Sequence, residues 1–180
     1  MKEQRPGPFF TGINTYRDPK GRFSVRYPTD WHPFELEGRE GRMFVPNPDD
    51  MQTALAVWVA PLEHAAVADD LPDLRAGVDE GLRVLPACHV ESESDEALDN
   101  LIRFERVYTF QENGAIRKRK LWLLYASTWQ IVLLWQASSV EEYDYWFAMA
   151  NYSFLTFDLP EALLFATDRS LGAPPADEDR

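Results

Sequence analysis

The chain has 180 residues, 45% of them hydrophobic and 27% charged, the size and balance of one globular domain with its own core. Thirty acidic residues against eighteen basic ones give a net charge of −12, which opposes binding to a nucleic-acid backbone or an anionic membrane. The single cysteine, Cys88, excludes an intrachain disulfide, and the longest apolar run, Ile131–Trp135, falls far short of the ~20 residues a membrane span needs. The opening Met1–Pro8 has basic residues but no apolar signal core, so a cytoplasmic protein is expected.

In chain order, residues 1–12 carry Pro and Gly breakers and read as a flexible lead-in. Arg22–Tyr27 alternates, predicting a half-buried strand with Phe23, Val25 and Tyr27 inward and Arg22, Ser24 and Arg26 outward. The turn Asp18-Pro19-Lys20-Gly21 pairs it with Ile13–Arg17, and Pro28 ends it three residues before Trp31. A second hairpin is expected over 33–46, around Glu37–Gly41, and Thr53–Ala60 reads as a buried strand. Asp69-Asp70-Leu71-Pro72 is a helix start, with a carboxylate cap and Pro in the first turn. Leu71, Leu74, Val78, Leu82 and Leu85 then recur at helical spacing until Pro86.

Val90–Asp95 reads as a strand with an acidic face. Leu101–Gln111 places Ile102, Phe104, Tyr108 and Phe110 on one side, with Arg103 and Glu105 on the other. Asn113-Gly114 signals a tight hairpin into Ala115–Tyr125, and Trp129–Gln136 forms the third strand of a meander. Ser139-Val140-Glu141-Glu142 is a capping box opening a second amphipathic helix, with Val140, Tyr143, Phe147, Ala150 and Phe154 on one face. Leu159, Leu163, Leu164 and Phe165 can pack as a short helix after Pro160, and residues 171–180 read as a disordered acidic tail. A single domain is therefore expected over 13–170, of class α+β, with a mainly antiparallel β-sheet flanked by two main helices.

This order, and the pattern Tyr16-x-Asp18-x-x-Gly21-x-Phe23-Ser24-Val25-x-Tyr27-Pro28-x-x-Trp31, resembles the PsbP/Mog1-like superfamily, including its bacterial domains of unknown function. The resemblance covers roughly residues 13 to 157. It implies an α/β/α sandwich that serves as a scaffold for protein–protein contacts. The motif residues themselves read as structural, since Phe23 and Tyr27 pack on the sheet, Pro28 breaks the strand and Trp31 caps the core edge.

No catalytic, cofactor-binding or metal-binding constellation emerges from the residues. His89, Glu91, Glu93 and Asp95, at alternate positions of one strand, are the nearest metal set, but ligands strung along a strand diverge. An acidic edge that resists pairing explains them as well. Cys88 and His89 are adjacent, point to opposite faces of a strand and cannot act as a pair. No nucleophile elbow, phosphate loop or dinucleotide fingerprint is present.

Two features point to a partner. Residues 101–120 carry six basic and two acidic groups within an acidic chain, and alternation turns Arg117 and Arg119 to one side and Lys118 and Lys120 to the other. Arg117 and Arg119 are candidates for docking an acidic segment, against a structural role pairing with neighbouring acidic groups. Tyr145 and Trp146 extend the aromatic surface of the second helix beyond one face, as a wider core contact or as an anchor for a protein partner or a second copy in a homodimer. The leading expectation is a non-enzymatic protein-binding, adaptor or chaperone-like domain. A small apolar ligand-binding protein and an uncharacterised enzyme are the alternatives.

Overall fold

The computed structural model describes residues 5–98 and 101–164. Among these residues nine strands and three α-helices follow in the order β1 (Ile13–Arg17), β2 (Ser24–Pro28), β3 (His32–Glu35), β4 (Glu40–Val45), β5 (Ala54–Pro61), α1 (Leu71–Arg83), β6 (His89–Leu98), β7 (Leu101–Glu112), β8 (Ala115–Ala126), β9 (Trp129–Gln136), α2 (Val140–Leu155) and α3 (Glu161–Leu164). Seven strands form one antiparallel sheet in the order β3-β4-β5-β9-β8-β7-β6, and β1 pairs with β2 in a separate two-stranded sheet. The turns behave as their sequences dictate. Asn113 and Gly114 both take positive φ, as the tight β7–β8 hairpin requires. Gly41 is obligatory for another reason: a Cβ there would lie 2.1 Å from the Val57 carbonyl oxygen, so β4 can approach β5 only without a side chain.

Alternation divides the core into two layers. One sheet face and the β1–β2 hairpin bury Phe23, Val25, Trp31, Phe44, Leu133 and Trp135 against α2. The other face buries Ile102, Phe104, Tyr108 and Phe110 against Val78 and Leu82 of α1. This is the expected mainly antiparallel α+β sheet with a main helix on each face. Among the described residues no helix is long and apolar enough to cross a membrane.

Several local expectations are corrected. Arg22 does not point outward. It lies in the turn before β2, 6% exposed, and its guanidinium donates to both carboxylate oxygens of Asp18 at 2.7 and 2.9 Å. Asp70 does not cap α1 with its side chain. A 3-10 turn over Ala68–Asp70 precedes the helix, and the Asp70 carboxylate reaches back to accept from the Val67 amide at 2.8 Å. Half of the expected capping box forms at α2: the Ser139 hydroxyl accepts from the Glu142 amide at 3.1 Å, while the Glu142 carboxylate turns outward to other partners. The expected short helix after Pro160 is α3, whose Leu163 and Leu164 pack on the α2-side core together with Leu159. Phe165 and the expected tail 171–180 lie outside the described residues.

Candidate functional site

Three regions carry the chemistry that the sequence singled out, and the structure adds a fourth. The acidic strand β6 is the first. It is the edge of the large sheet, but His89, Glu91, Glu93 and Asp95 do not share one face. The register slips between Val90 and Ser92, where β6 passes Tyr108 and Val107 of β7. This bulge separates the carboxylates. Glu91 pairs with Lys118 at 2.8 Å, whereas Asp95 and Glu93 turn to Arg106 at 2.5 and 3.8 Å. Among the described residues no three His, Cys, Asp or Glu side chains converge as a metal site. Arg106, missing from the sequence reading, organises this edge. It is 1% exposed, also donates to the Glu105 carbonyl at 2.9 Å, and faces Asp79 of α1 at 3.7 Å. Its even position between Phe104 and Tyr108 was the signal that could have found it.

The basic stretch of β8 is divided as alternation requires. Arg117 and Arg119 lie on the α1 side, around a small cavity of about 90 Å³ that Phe110 and Gln136 also line. Arg117 is buried. It donates to the Ala137 carbonyl at 3.0 Å and to the Gln52 side chain, and faces Glu112 at 3.4 Å. Arg119, half-buried, lies 4.3 Å from the Phe110 ring centroid and donates to Gln136 at 3.0 Å. Lys118 and Lys120 lie on the α2 side. Lys118 pairs with Glu91 and approaches Asp144, while Lys120 donates to Asn151 at 2.9 Å and faces Glu105.

Helix α2 is the third region. Tyr145 and Trp146 are half-buried neighbours, their rings edge to face at 4.9 Å. Trp146 also meets Trp31 edge-on at 6.1 Å and donates its indole N–H to Glu142 at 3.1 Å. The residues ahead of β1 cover this pair. The Arg5 guanidinium lies 3.7 Å from the Tyr145 ring centroid and 2.7 Å from the Glu142 carboxylate. The Tyr145 hydroxyl donates to the Pro6 carbonyl at 2.8 Å, and Phe10 meets Tyr152 edge-on at 5.3 Å. Arg5, Pro6 and Phe10 of the expected lead-in thus contact α2. The structure brings Tyr145 and Trp146 together on one layer and Arg117 and Arg119 together on the other. It does not join the two pairs.

The fourth region is an open apolar cavity of about 320 Å³ where the C-terminal end of α2 and α3 leave β7 and β8. Leu101, Trp122, Phe154, Leu159 and Leu164 line it, and Leu98 and Leu155 on its rim are among the most exposed apolar side chains.

The perturbed titrations follow the packing. Asp18, Asp50 and Asp95 are partly desolvated, which opposes ionisation, but hydrogen bonds outweigh it and hold all three below the usual aspartate range. The donors are Arg22 at Asp18, Ser138 and Thr53 at Asp50, and Arg106 and Arg75 at Asp95. Burial pushes the Cys88 thiol up, as it does the phenols of Tyr108, Tyr125 and Tyr143.

The sequence matches no family model and no curated protein. Solved structures do match. Cyanobacterial PsbP (CyanoP) from Synechocystis superposes with a TM-score of 0.58 at 11% identity, over 88% of this chain and 99% of its own. LpqN of Mycobacterium tuberculosis, involved in cell envelope biogenesis, gives 0.54 at 15% identity, over 83% and 91%. The Ran-binding protein Mog1p of Saccharomyces cerevisiae gives 0.53 at 9% identity, over 82% and 95%. Identities this low carry the architecture and not the activity. With the two-layer core around an antiparallel sheet and the Phe23–Trp31 segment buried on one face of it, where Trp31 stacks on Trp135 of the central strand β9 and does not cap the core edge as expected, the chain has the PsbP/Mog1-like fold.

Proposed function

We propose that this chain is a non-enzymatic protein-binding domain that docks its partner on the outer face of α2, with Tyr145 and Trp146 as anchors. The observation that carries the reading is that face: two adjacent, half-buried aromatics flanked by Glu142, already in contact with the segment Arg5–Pro6. Tyr and Trp with one wet edge are the side chains on which interface energy concentrates. One fold neighbour, Mog1p, is a Ran-binding protein, which fits a partner-binding use of this architecture. The titrations fit a non-catalytic reading too. Asp18, Asp50 and Asp95 move down, away from the neutral range a general acid or base needs, and a raised Cys88 pKa leaves less thiolate. A net charge of −12 and one free cysteine suit a cytoplasmic setting without nucleic acid or membrane as partner.

Docking through Arg117 and Arg119 asks more of the molecule, because Arg117 would have to leave Ala137, Gln52 and Glu112. The test is capture from source-cell lysate with the tagged chain, read by mass spectrometry. One protein retained by the wild type and lost on Tyr145→Ala, with unchanged circular dichroism, supports the α2 face. Loss on Arg117→Glu with Arg119→Glu instead moves the site to the opposite layer. The homodimer form of the reading is checked by sedimentation of the same variants.

A second reading, small apolar ligand binding, draws on the cavity between β7, β8 and α2. Native mass spectrometry of the chain purified from its source would show an added mass, lost on Trp122→Ala, if it is right.

A further inference from the structure

The residues ahead of β1 show what chemistry the outer face of α2 accepts. Along that face run Glu142, Tyr145, the small exposed Ala148 and Tyr152, spaced three to four residues apart and so on one side of the helix. Each of the three larger side chains has a matching group on the segment Arg5–Phe10. Glu142 takes the Arg5 guanidinium as an ion pair at 2.7 Å. Tyr145 takes the same guanidinium on its ring face and gives its hydroxyl to the Pro6 carbonyl. Tyr152 meets the Phe10 ring edge to face. Pro6 and Pro8 keep the segment extended, which lowers the entropy lost on binding. The helix adds charge complementarity, because it holds Glu141, Glu142 and Asp144 and no basic residue at all. The contacts are nevertheless shallow. The Arg5 and Glu142 side chains keep 52% and 33% of their exposure, and Phe9 keeps 74%, as suits a segment that can leave.

We propose that the outer face of α2 is a receptor for an arginine–proline–aromatic peptide segment of a protein partner, and that Arg5–Phe10 is the resident occupant which that segment displaces. This rests on the docking role of α2 and adds to it the chemistry of the partner and a built-in competitor. A tethered segment acts at millimolar effective concentration, so weak contacts suffice to keep the face covered until a partner with more contact area arrives.

The test uses a fluorescein-labelled peptide with the sequence of residues 5–12, titrated into the full chain and followed by anisotropy. Arg5→Glu sets a carboxylate against Glu142 and the Tyr145 ring face and so opens the site, while the exposed position of Arg5 leaves the core intact. The peptide is expected to bind Arg5→Glu about tenfold more tightly than the wild type, because the tethered competitor is gone. Adding Glu142→Gln or Tyr145→Ala to Arg5→Glu should remove that gain, as should replacing the arginine of the peptide by alanine. Equal affinity for the wild type and Arg5→Glu, or a gain that survives both second substitutions, overturns the proposal. The two readings fail separately. If the peptide behaves as a non-binder while a partner is still captured through Tyr145, the docking face stands and its proposed chemistry falls. If the peptide binds as expected while no captured protein depends on Tyr145, the receptor stands and the docking role falls.

Discussion

Arg106 places a permanent positive charge where only 1% of the residue meets solvent, so its carboxylate neighbours decide whether the site stabilises the fold. Asp95 is the nearest, at 2.5 Å, and it also receives Arg75 of α1. Glu93 and Asp79 stand farther off and are more exposed. Removing Asp95 leaves a buried guanidinium with only the more distant carboxylates of Asp79 and Glu93, whereas removing the guanidinium leaves Asp95 with Arg75 and the other two carboxylates in reach of water. Asp95→Ala should therefore destabilise by about 3 kcal/mol in urea denaturation, and Arg106→Met by clearly less. An equal loss in both variants would show that packing of the long side chain, and not its charge, is what counts. The position of Arg106 on the buried side of β7 is legible in the sequence, because it shares parity with Phe104 and Tyr108. Its partner is not legible. A strict alternation of β6 would keep Glu91 on the side of Glu93 and Asp95, and only the slip after Val90 separates them.

At the scale of the element, α2 depends on its first turn. Ser139 satisfies the Glu142 amide, and Glu142, fixed there, is the residue that meets both Arg5 and Trp146. Ser139→Ala should lower stability by about 1 kcal/mol, the usual loss for a missing hydroxyl cap. It should also speed amide exchange in the first turn of α2 before any other element, as hydrogen–deuterium exchange would show. The helix, its Ser139 cap and the Tyr143–Ala150–Phe154 part of its buried face were legible from a 3–4 periodicity and a Ser-x-x-Glu motif, while buried Met149 and Ser153 fall outside that pattern. The clasp over Tyr145 was not. The same motif assigns the Glu142 carboxylate to the helix backbone, and no local pattern brings a residue 137 positions away to it. The hairpins were the most legible elements, because Asp18-Pro19-Lys20-Gly21 and Asn113-Gly114 carry their turn chemistry within four residues and two. Arg22, beside the first of these turns, shows the limit: parity sends it outward, and a bidentate pair with Asp18 brings it in.

For the whole molecule, the depressed aspartates set the acid limit. Asp18, Asp50 and Asp95 lie in three separate parts of the fold: the β1–β2 turn, the approach to β5, and the β6 edge. Each has a folded pKa below its unfolded one, so the unfolded chain takes up protons first as pH falls. Their contribution is complete above the ordinary aspartate value of about 3.9 and is lost as pH falls through that value to the folded ones. The urea midpoint should accordingly hold level down to pH of about 5 and fall steeply below about 4. The fall should be shallower in Asp18→Asn, measured from its own lower plateau. A midpoint that rises on acidification would contradict this account of the three carboxylates. Fold class and the two-layer arrangement were legible at this scale because the meander and both helices carry long periodic patterns. The separation of the candidate residues onto opposite layers was not, since it depends on which face each helix covers.

The place of β5 in the sheet has a consequence for how the chain reaches this structure. It does not neighbour β6, the next strand in sequence; it pairs with β9, in a register running from Ala54 opposite Gln136 to Pro61 opposite Trp129. Thr53 and Ser138, which close that pairing with a hydroxyl contact of 3.2 Å, are 85 positions apart. Strands β6 to β9 pair in sequence order across connections only two residues long, so they can assemble with little loop-closure entropy, while the β5–β9 seam must enclose α1 and the whole meander. Topology of this kind slows folding and orders its steps. The meander should form the nucleus and the strands ahead of α1 should dock last. Conservative truncations such as Ile102→Val and Val132→Ala should then slow refolding, and Val57→Ala should mainly speed unfolding. The reverse pattern in stopped-flow chevrons would place the nucleus at the long-range seam itself.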